Sequence, residues 1–169
     1  MAKIRAKVNG KEVDLESYLM ECIRIAVDIA ADKAVDFLAQ YIIDNWYDAY
    51  TPKKYKRTYD FLNSASKTET TVSGRKGNSV VCMIYFDRDK IIPKYYGPKE
   101  LNPHAGRDGS SIADSIPRMI EQGFWFYGRG KTEGLGSMEA TIDMLERDFH
   151  KMVEKELRKM GLPLTVSRK

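Results

Sequence analysis

The chain has 169 residues, of which 43% are hydrophobic and 31% charged, and about 150 residues are enough to bury about two thirds of the unfolded surface around one core. A single domain over residues 1–161 with a short basic tail, 162–169, is therefore expected. The net charge of +4, from 28 Lys and Arg against 24 Asp and Glu, falls short of the dense basic patch of a dedicated nucleic-acid module. No run approaches the roughly 20 apolar residues that span a bilayer.

Residues 3–13 alternate, with Ile4, Ala6 and Val8 on one side and Lys3, Arg5 and Lys7 on the other, and Asn9-Gly10 offers a tight hairpin turn after which Glu12 and Val13 start a return strand. No apolar leader segment is legible there, so the protein is expected in the host cytoplasm where it is made, any later location coming through assembly. Asp14 is placed to cap a helix running from Leu15 to about Tyr47. Its apolar positions include Leu15, Leu19, Cys22, Ala26, Ala30, Leu38, Ile42 and Trp46, and Ile25, Val27, Val35 and Ile43 widen the stripe beyond what one small core covers. A second covering surface, on another subunit, is expected.

Thr51-Pro52 stops the helix. Thr58 reads as the cap of a short helix over 59–66, and residues 68–73 and 79–86 read as strands around the loop 74–78. Three prolines and three glycines between Lys90 and Gly109 argue for a long surface loop. A short helix follows over 115–122, with Pro117 in its first turn and Gly123 at its end. Residues 127–137 read as a mobile glycine-rich connection.

The last helix opens at Ser137, runs from Met138 to Met160 and ends at Gly161 with Pro163 just beyond. Its stripe is Met138, Ile142, Leu145, Phe149, Met152, Val153, Leu157 and Met160, and Asp143 with Arg147 and Glu154 with Arg158 are spaced as supporting pairs. The order of elements describes an α+β fold, a long N-terminal and a C-terminal helix packed on a small, mostly antiparallel β-sheet.

Signals of catalysis are poor. Cys22 and Cys82 lie inside apolar periodic segments, where a thiol behaves as a small hydrophobe, and are too sparse for a disulfide framework. His150 sits among charged helix residues, and His104 lies far from it in the loop Asn102-Pro103-His104-Ala105. A metal-dependent nuclease needs clustered carboxylates near a lysine; Asp87-Arg88-Asp89-Lys90 places Asp89 directly beside Lys90, the wrong spacing, and reads as a charged strand end. Gly128-Arg129-Gly130-Lys131-Thr132 lacks the spacing and strand-to-helix setting of a phosphate loop. The residues therefore imply no catalytic group, metal or other cofactor.

The most informative stretch is 46–64, where Trp46, Tyr47, Tyr50, Tyr55, Tyr59 and Phe61 interleave with Lys53, Lys54, Lys56 and Arg57. Such a segment can pack against the helix, anchor a protein interface or contact a nucleic-acid strand, in that order of preference. Its pattern Tyr50-x-Pro52-x-x-Tyr55-x-Arg57-Thr58-x-x-x-Leu62-x-x-Ser64 resembles the gene-product-ten-like neck and tail-completion proteins of long-tailed phages and prophages, and the strand end Tyr85-Phe86-Asp87, the loop with His104 and the helix from Ser115 to Gly123 are compatible with it.

The resemblance implies a non-enzymatic virion subunit that forms a ring with its own copies at the head–tail junction. Its neighbours would be neck, adaptor or tail-tube proteins, with at most passing contact with DNA. Trp46, Tyr50, Pro52, Tyr55, Arg57, Thr58, Leu62 and His104 would be structural or interface anchors. Two alternatives are a DNA-contacting module working through Lys53 to Arg57, and a small metal-dependent nuclease.

Overall fold

The computed structural model describes residues 5–8, 10–49, 59–73, 79–91, 115–123, 125–126, 130–131 and 133–166, and of 5–8, 125–126 and 130–131 the backbone only. The fold is α+β: a long N-terminal helix, a C-terminal helix and small antiparallel two-stranded sheets. Among the described residues the strands form four separate pairs rather than one continuous sheet.

β1 (Arg5–Val8) pairs antiparallel with β2 (Lys11–Asp14), Arg5 facing Asp14 and Val8 facing Lys11. β2 runs directly into α1 (Leu15–Ile42), and Asp14 caps that helix, its carboxylate accepting from the Glu16 N–H at 3.3 Å and the Ser17 hydroxyl at 3.2 Å. The helix does not stay regular to Tyr47. Residues Ile43–Tyr47 form a π-helical turn in which the Asp48 N–H donates to the Ile43 carbonyl.

Two side chains accompany the change. Asn45 donates to the Tyr41 carbonyl at 2.9 Å, competing with the backbone ladder, and Gln40 donates to Asp44 at 2.7 Å. Tyr47, the last residue of that turn, is buried in the same cluster as Ile42.

α2 (Asp60–Asn63) is shorter than the sequence suggests, and its N-cap is Tyr59, whose φ of 58° lies in the left-handed region. The helix stops because Ser64 leaves it: its hydroxyl donates to the Phe61 carbonyl at 2.6 Å, and its own carbonyl accepts from the Asp87 N–H at 2.7 Å. β3 (Ala65–Lys67) then pairs with β6 (Ile84–Phe86), and β4 (Thr71–Ser73) with β5 (Ser79–Val81).

Thr68 bonds to Met83, whereas Thr71 faces Val81, so three residues on the first strand are matched by two on the second. The first strand thus carries one extra residue, a bulge beside Thr70. The interruption was invisible in the apolar pattern, which reads 79–86 as one run.

Asp87 ends β6 and caps a 3-10 turn over Arg88–Lys90. α3 (Ile116–Gln122) has Pro117 in its first turn, as expected. β7 (Trp125–Phe126) and β8 (Gly130–Lys131) pair antiparallel, the second of them within the stretch 127–137 that was expected to be only a connection. α4 (Ser137–Lys159) ends at Gly161, φ 79°, where the Gly161 N–H reaches the Arg158 carbonyl and the Leu162 N–H the Leu157 carbonyl.

The chain divides into two compact units, and α1 and α4 each contribute to both. In the unit built from residues 1–34, 67–83 and 144–169, Cys22, Ala26 and Ala30 of α1 pack with Val153 and Leu157 of α4. The alanines present little bulk, so the larger α4 side chains fill the space. Leu162 and Val166, from the segment expected to form a tail, pack against the same cluster.

In the unit built from residues 35–66 and 84–143, the core is Leu38, Ile42, Tyr47, Phe61, Ile91, Ile116 and Ile120. The rings of Phe61 and Phe86 lie 4.8 Å apart. Ile142, expected in the apolar stripe of α4, is 52% exposed, while Ser137, Thr141 and Met144 are buried. Hydrogen bonds set that orientation: Thr141 donates to the Ser137 carbonyl at 2.8 Å, and Ser137 donates to the Glu121 carboxylate.

Candidate functional site

The aromatic junction at the end of α1 is the part of the predicted site that the structure describes. Trp46 and Leu62 both pack, half-buried, against the Leu38–Ile42–Phe61 core. The rings of Tyr47 and Tyr59 stack with centroids 4.7 Å apart and planes at 26°. The residues flanking 50–58 are therefore drawn together, and α1 and α2 supply the two sides. Tyr50, Pro52, Tyr55, Arg57, Thr58 and His104 lie outside the described residues, as does the basic segment Lys53 to Arg57.

The strongest polar groupings lie elsewhere, and sequence pattern alone did not single them out. In the first unit, Lys67 Nζ sits 2.5 Å from Asp28 Oδ1 and 2.9 Å from Asp32 Oδ1, bridging successive turns of α1. Thr70, turned by the bulge, donates to the same Asp28 oxygen at 2.6 Å. Hydrogen bonds from Lys67 and then Thr70 hold the Asp28 carboxyl below its ordinary range. Burial disfavours the charge on Lys67, but its bonds to Asp28 and Asp32 outweigh that and raise its pKa.

A second grouping in that unit joins the two long helices. Glu156 of α4, its side chain only 6% exposed, accepts from Lys33 of α1 at 2.7 Å and from Lys159 at 3.0 Å. Those hydrogen bonds, Lys33 first, lower the pKa of the Glu156 carboxyl. A single buried carboxylate between two lysines is a fastening, the arrangement in which a buried charge is tolerated. An i,i+3 search around buried helix positions could have flagged Glu156 and Lys159. Nothing in the linear order pairs Lys33 with Glu156.

In the second unit, Glu121 of α3 caps α4, accepting from the Ser137 hydroxyl and from the Met138 N–H at 2.9 Å. An open groove of about 380 Å³ beside it is lined by Phe86, Pro117, Arg118, Gln122, Met138 and Glu139, among others. With its carboxylate engaged at the helix terminus, Glu121 serves the fold.

Asp87 and Lys90 are likewise engaged. Asp87 accepts from the Asp89 N–H at 3.1 Å, and Lys90 donates to the Ser66 hydroxyl at 2.8 Å. Among the described residues no cluster of three His, Cys, Asp or Glu could hold a metal ion, and no helix is long and apolar enough to cross a membrane. Cys22 and Cys82 are free thiols, the first buried and the second with its Sγ 3.4 Å from the Thr68 carbonyl.

These elements define an α+β protein in which two long helices run through both units and the main ionic groups fasten one element to another. The chain belongs to the YomN family, whose model matches residues 12–166. That family is associated with phages and prophages, YomN itself coming from a Bacillus prophage, so the protein is phage-related. No curated protein matches the chain. No solved structure matches it either.

Proposed function

We propose that the protein is a structural subunit of the phage neck or tail, a tail-completion or head–tail joining component that assembles with its own copies into a ring at the portal–tail junction. It acts by contact rather than by catalysis, with neighbouring neck, adaptor or tail-tube proteins as partners. The observation that carries this reading is the distribution of exposed apolar side chains on regular elements: Val72 and Val81 in the first unit, Tyr85 and Ile142 in the second. Val81 is 47% and Ile142 52% exposed, and large apolar groups held outward on strands and helices are suited to burial against a partner.

Membership of a phage-associated family supports the setting, and the Tyr50 to Ser64 pattern supports the neck. The engagement of Asp87 in a cap and Lys90 with Ser66 favours this reading over the nuclease. The test is deletion of the gene from the phage, followed by electron microscopy of the lysate. Filled heads lacking tails are expected; complete, infectious virions would overturn the proposal.

A further inference from the structure

The first unit carries two outward helix faces of opposite sign. On α4, Arg147, Lys151, Lys155 and Arg158 recur at helical spacing on the side away from the buried Val153 and Leu157, and all four are exposed. Two carboxylates lie among them: Asp148 pairs with Arg147 and Lys151, and Glu154 with Arg158. Arg147 takes Asp148 rather than the Asp143 partner that the spacing suggested. Four cations against two carboxylates leave the face positive, and Lys155 has no ion pair among the described residues.

On α1, Glu21, Ile25, Asp28 and Asp32 share the face away from Ala26 and Ala30. Arg24 pairs with Glu21 at 2.7 Å, Lys67 bridges Asp28 and Asp32, and Glu69 is near enough to Arg24 to act on its charge. Four carboxylates against two cations leave this face negative. Ile25, 36% exposed, sits at its centre as an apolar contact point.

We propose that the basic face of α4 is the docking surface for the acidic α1 face of a second copy of this chain. The proposal rests on the assembly reading above and names the surfaces through which copies meet. Both signs lie on one unit of one chain, so the complement of each face is present on every other copy. Because the faces differ, the contact is heterologous, and each copy can offer one face and receive the other, which closes a ring or extends a filament. The interleaved Asp148 and Glu154 favour a partner with charges of both signs over a uniformly anionic phosphate backbone.

The contact is read by sedimentation of the full chain at two salt concentrations, about 0.01 M, where charges act over about 30 Å, and about 1 M, where they act over about 3 Å. Self-association is expected to weaken by about tenfold or more between them. Two double variants, Lys151→Glu with Lys155→Glu on α4 and Glu21→Lys with Ile25→Lys on α1, which invert the sign of each face at exposed positions, are each expected to leave the unfolding transition in place and abolish association. Mixing the two variants is expected to restore it, since each reversed face then meets its new complement.

Association of either variant as strong as that of the unaltered chain, or a mixture that stays monomeric, would overturn the proposal. Rings that persist in high salt and in both variants would remove this contact while leaving the neck reading intact. Capture of a labelled DNA duplex by a chain that remains monomeric, lost on the α4 reversal, would assign the basic face to nucleic acid instead.

Discussion

Lys33 Nζ lies 2.7 Å from Glu156 Oε1, so a cation on the N-terminal helix holds a buried carboxylate on the C-terminal one. Removing one partner leaves the other charge under-compensated in a site largely closed to water. Lys33→Met is expected to lower unfolding free energy by about 1 to 3 kcal/mol, Lys159 retaining part of the compensation. Urea denaturation measures it, and an unchanged midpoint would show that Lys159 alone suffices.

Acid should weaken the same unit. Asp28 and Glu156 both have depressed carboxyl pKa values in the folded chain, through Lys67 with Thr70 and through Lys33 with Lys159. The unfolded chain therefore binds more protons than the folded one in the interval between the two sets of values. The stabilisation is full above the unfolded values, about 3.9 for Asp and 4.3 for Glu, and is lost as pH falls through the folded ones. Thermal melting from about pH 6 down to pH 2 is expected to show a falling midpoint. In Lys67→Met the Asp28 contribution to that slope should shrink, Thr70 retaining part of it, giving a shallower acid limb.

Phe61 is buried against Phe86 in the core of the second unit. Phe61→Ala removes the ring and leaves a cavity, with an expected loss of about 3 to 5 kcal/mol. Leu at that position should recover much of the loss. Equal stability of Ala and Leu variants in denaturant titration would mean that the site collapses without cost.

A Cβ at Gly134 would stand 2.1 Å from the Glu121 carbonyl oxygen, a backbone atom at the end of α3. The adjacent Leu135 and Gly136 N–H groups bond to the Ile120 and Glu121 carbonyls at 2.8 and 3.3 Å. Gly134→Ala must therefore separate the two segments and weaken the seating of Glu121 over the start of α4. Amide exchange at Leu135, Gly136 and Met138 is expected to accelerate in the variant, and unchanged protection there would count against this account.

The two long helices, the Asp14 cap, the N-terminal hairpin, Pro117 in the first turn of α3 and the Gly161 terminus were legible because each follows from nearest-neighbour chemistry: periodicity, capping and backbone freedom. The apolar pattern also placed Cys22, Ala26, Ala30, Leu38 and Ile42 on the inward side of α1. Of the expected anchors, Trp46 and Leu62 are found on one core, and their nearness to the aromatic run was visible in the order of residues.

Local chemistry could not disclose the π turn that buries Tyr47, the bulge that turns Thr70 toward Asp28, or the exposure of Ile142. Each is accompanied by a hydrogen bond from a particular side chain, which hydrophobic periodicity does not count. Lys33 with Glu156 and Lys67 with Asp28 and Asp32 lay further beyond reach. Such pairs unite residues distant along the chain, and a charged residue is driven inward only where the tertiary fold supplies its counter-charge. Periodicity and capping suffice for the helices and their apolar sides; which charges fasten them, and which face outward, follows only from the packing of segments far apart along the chain.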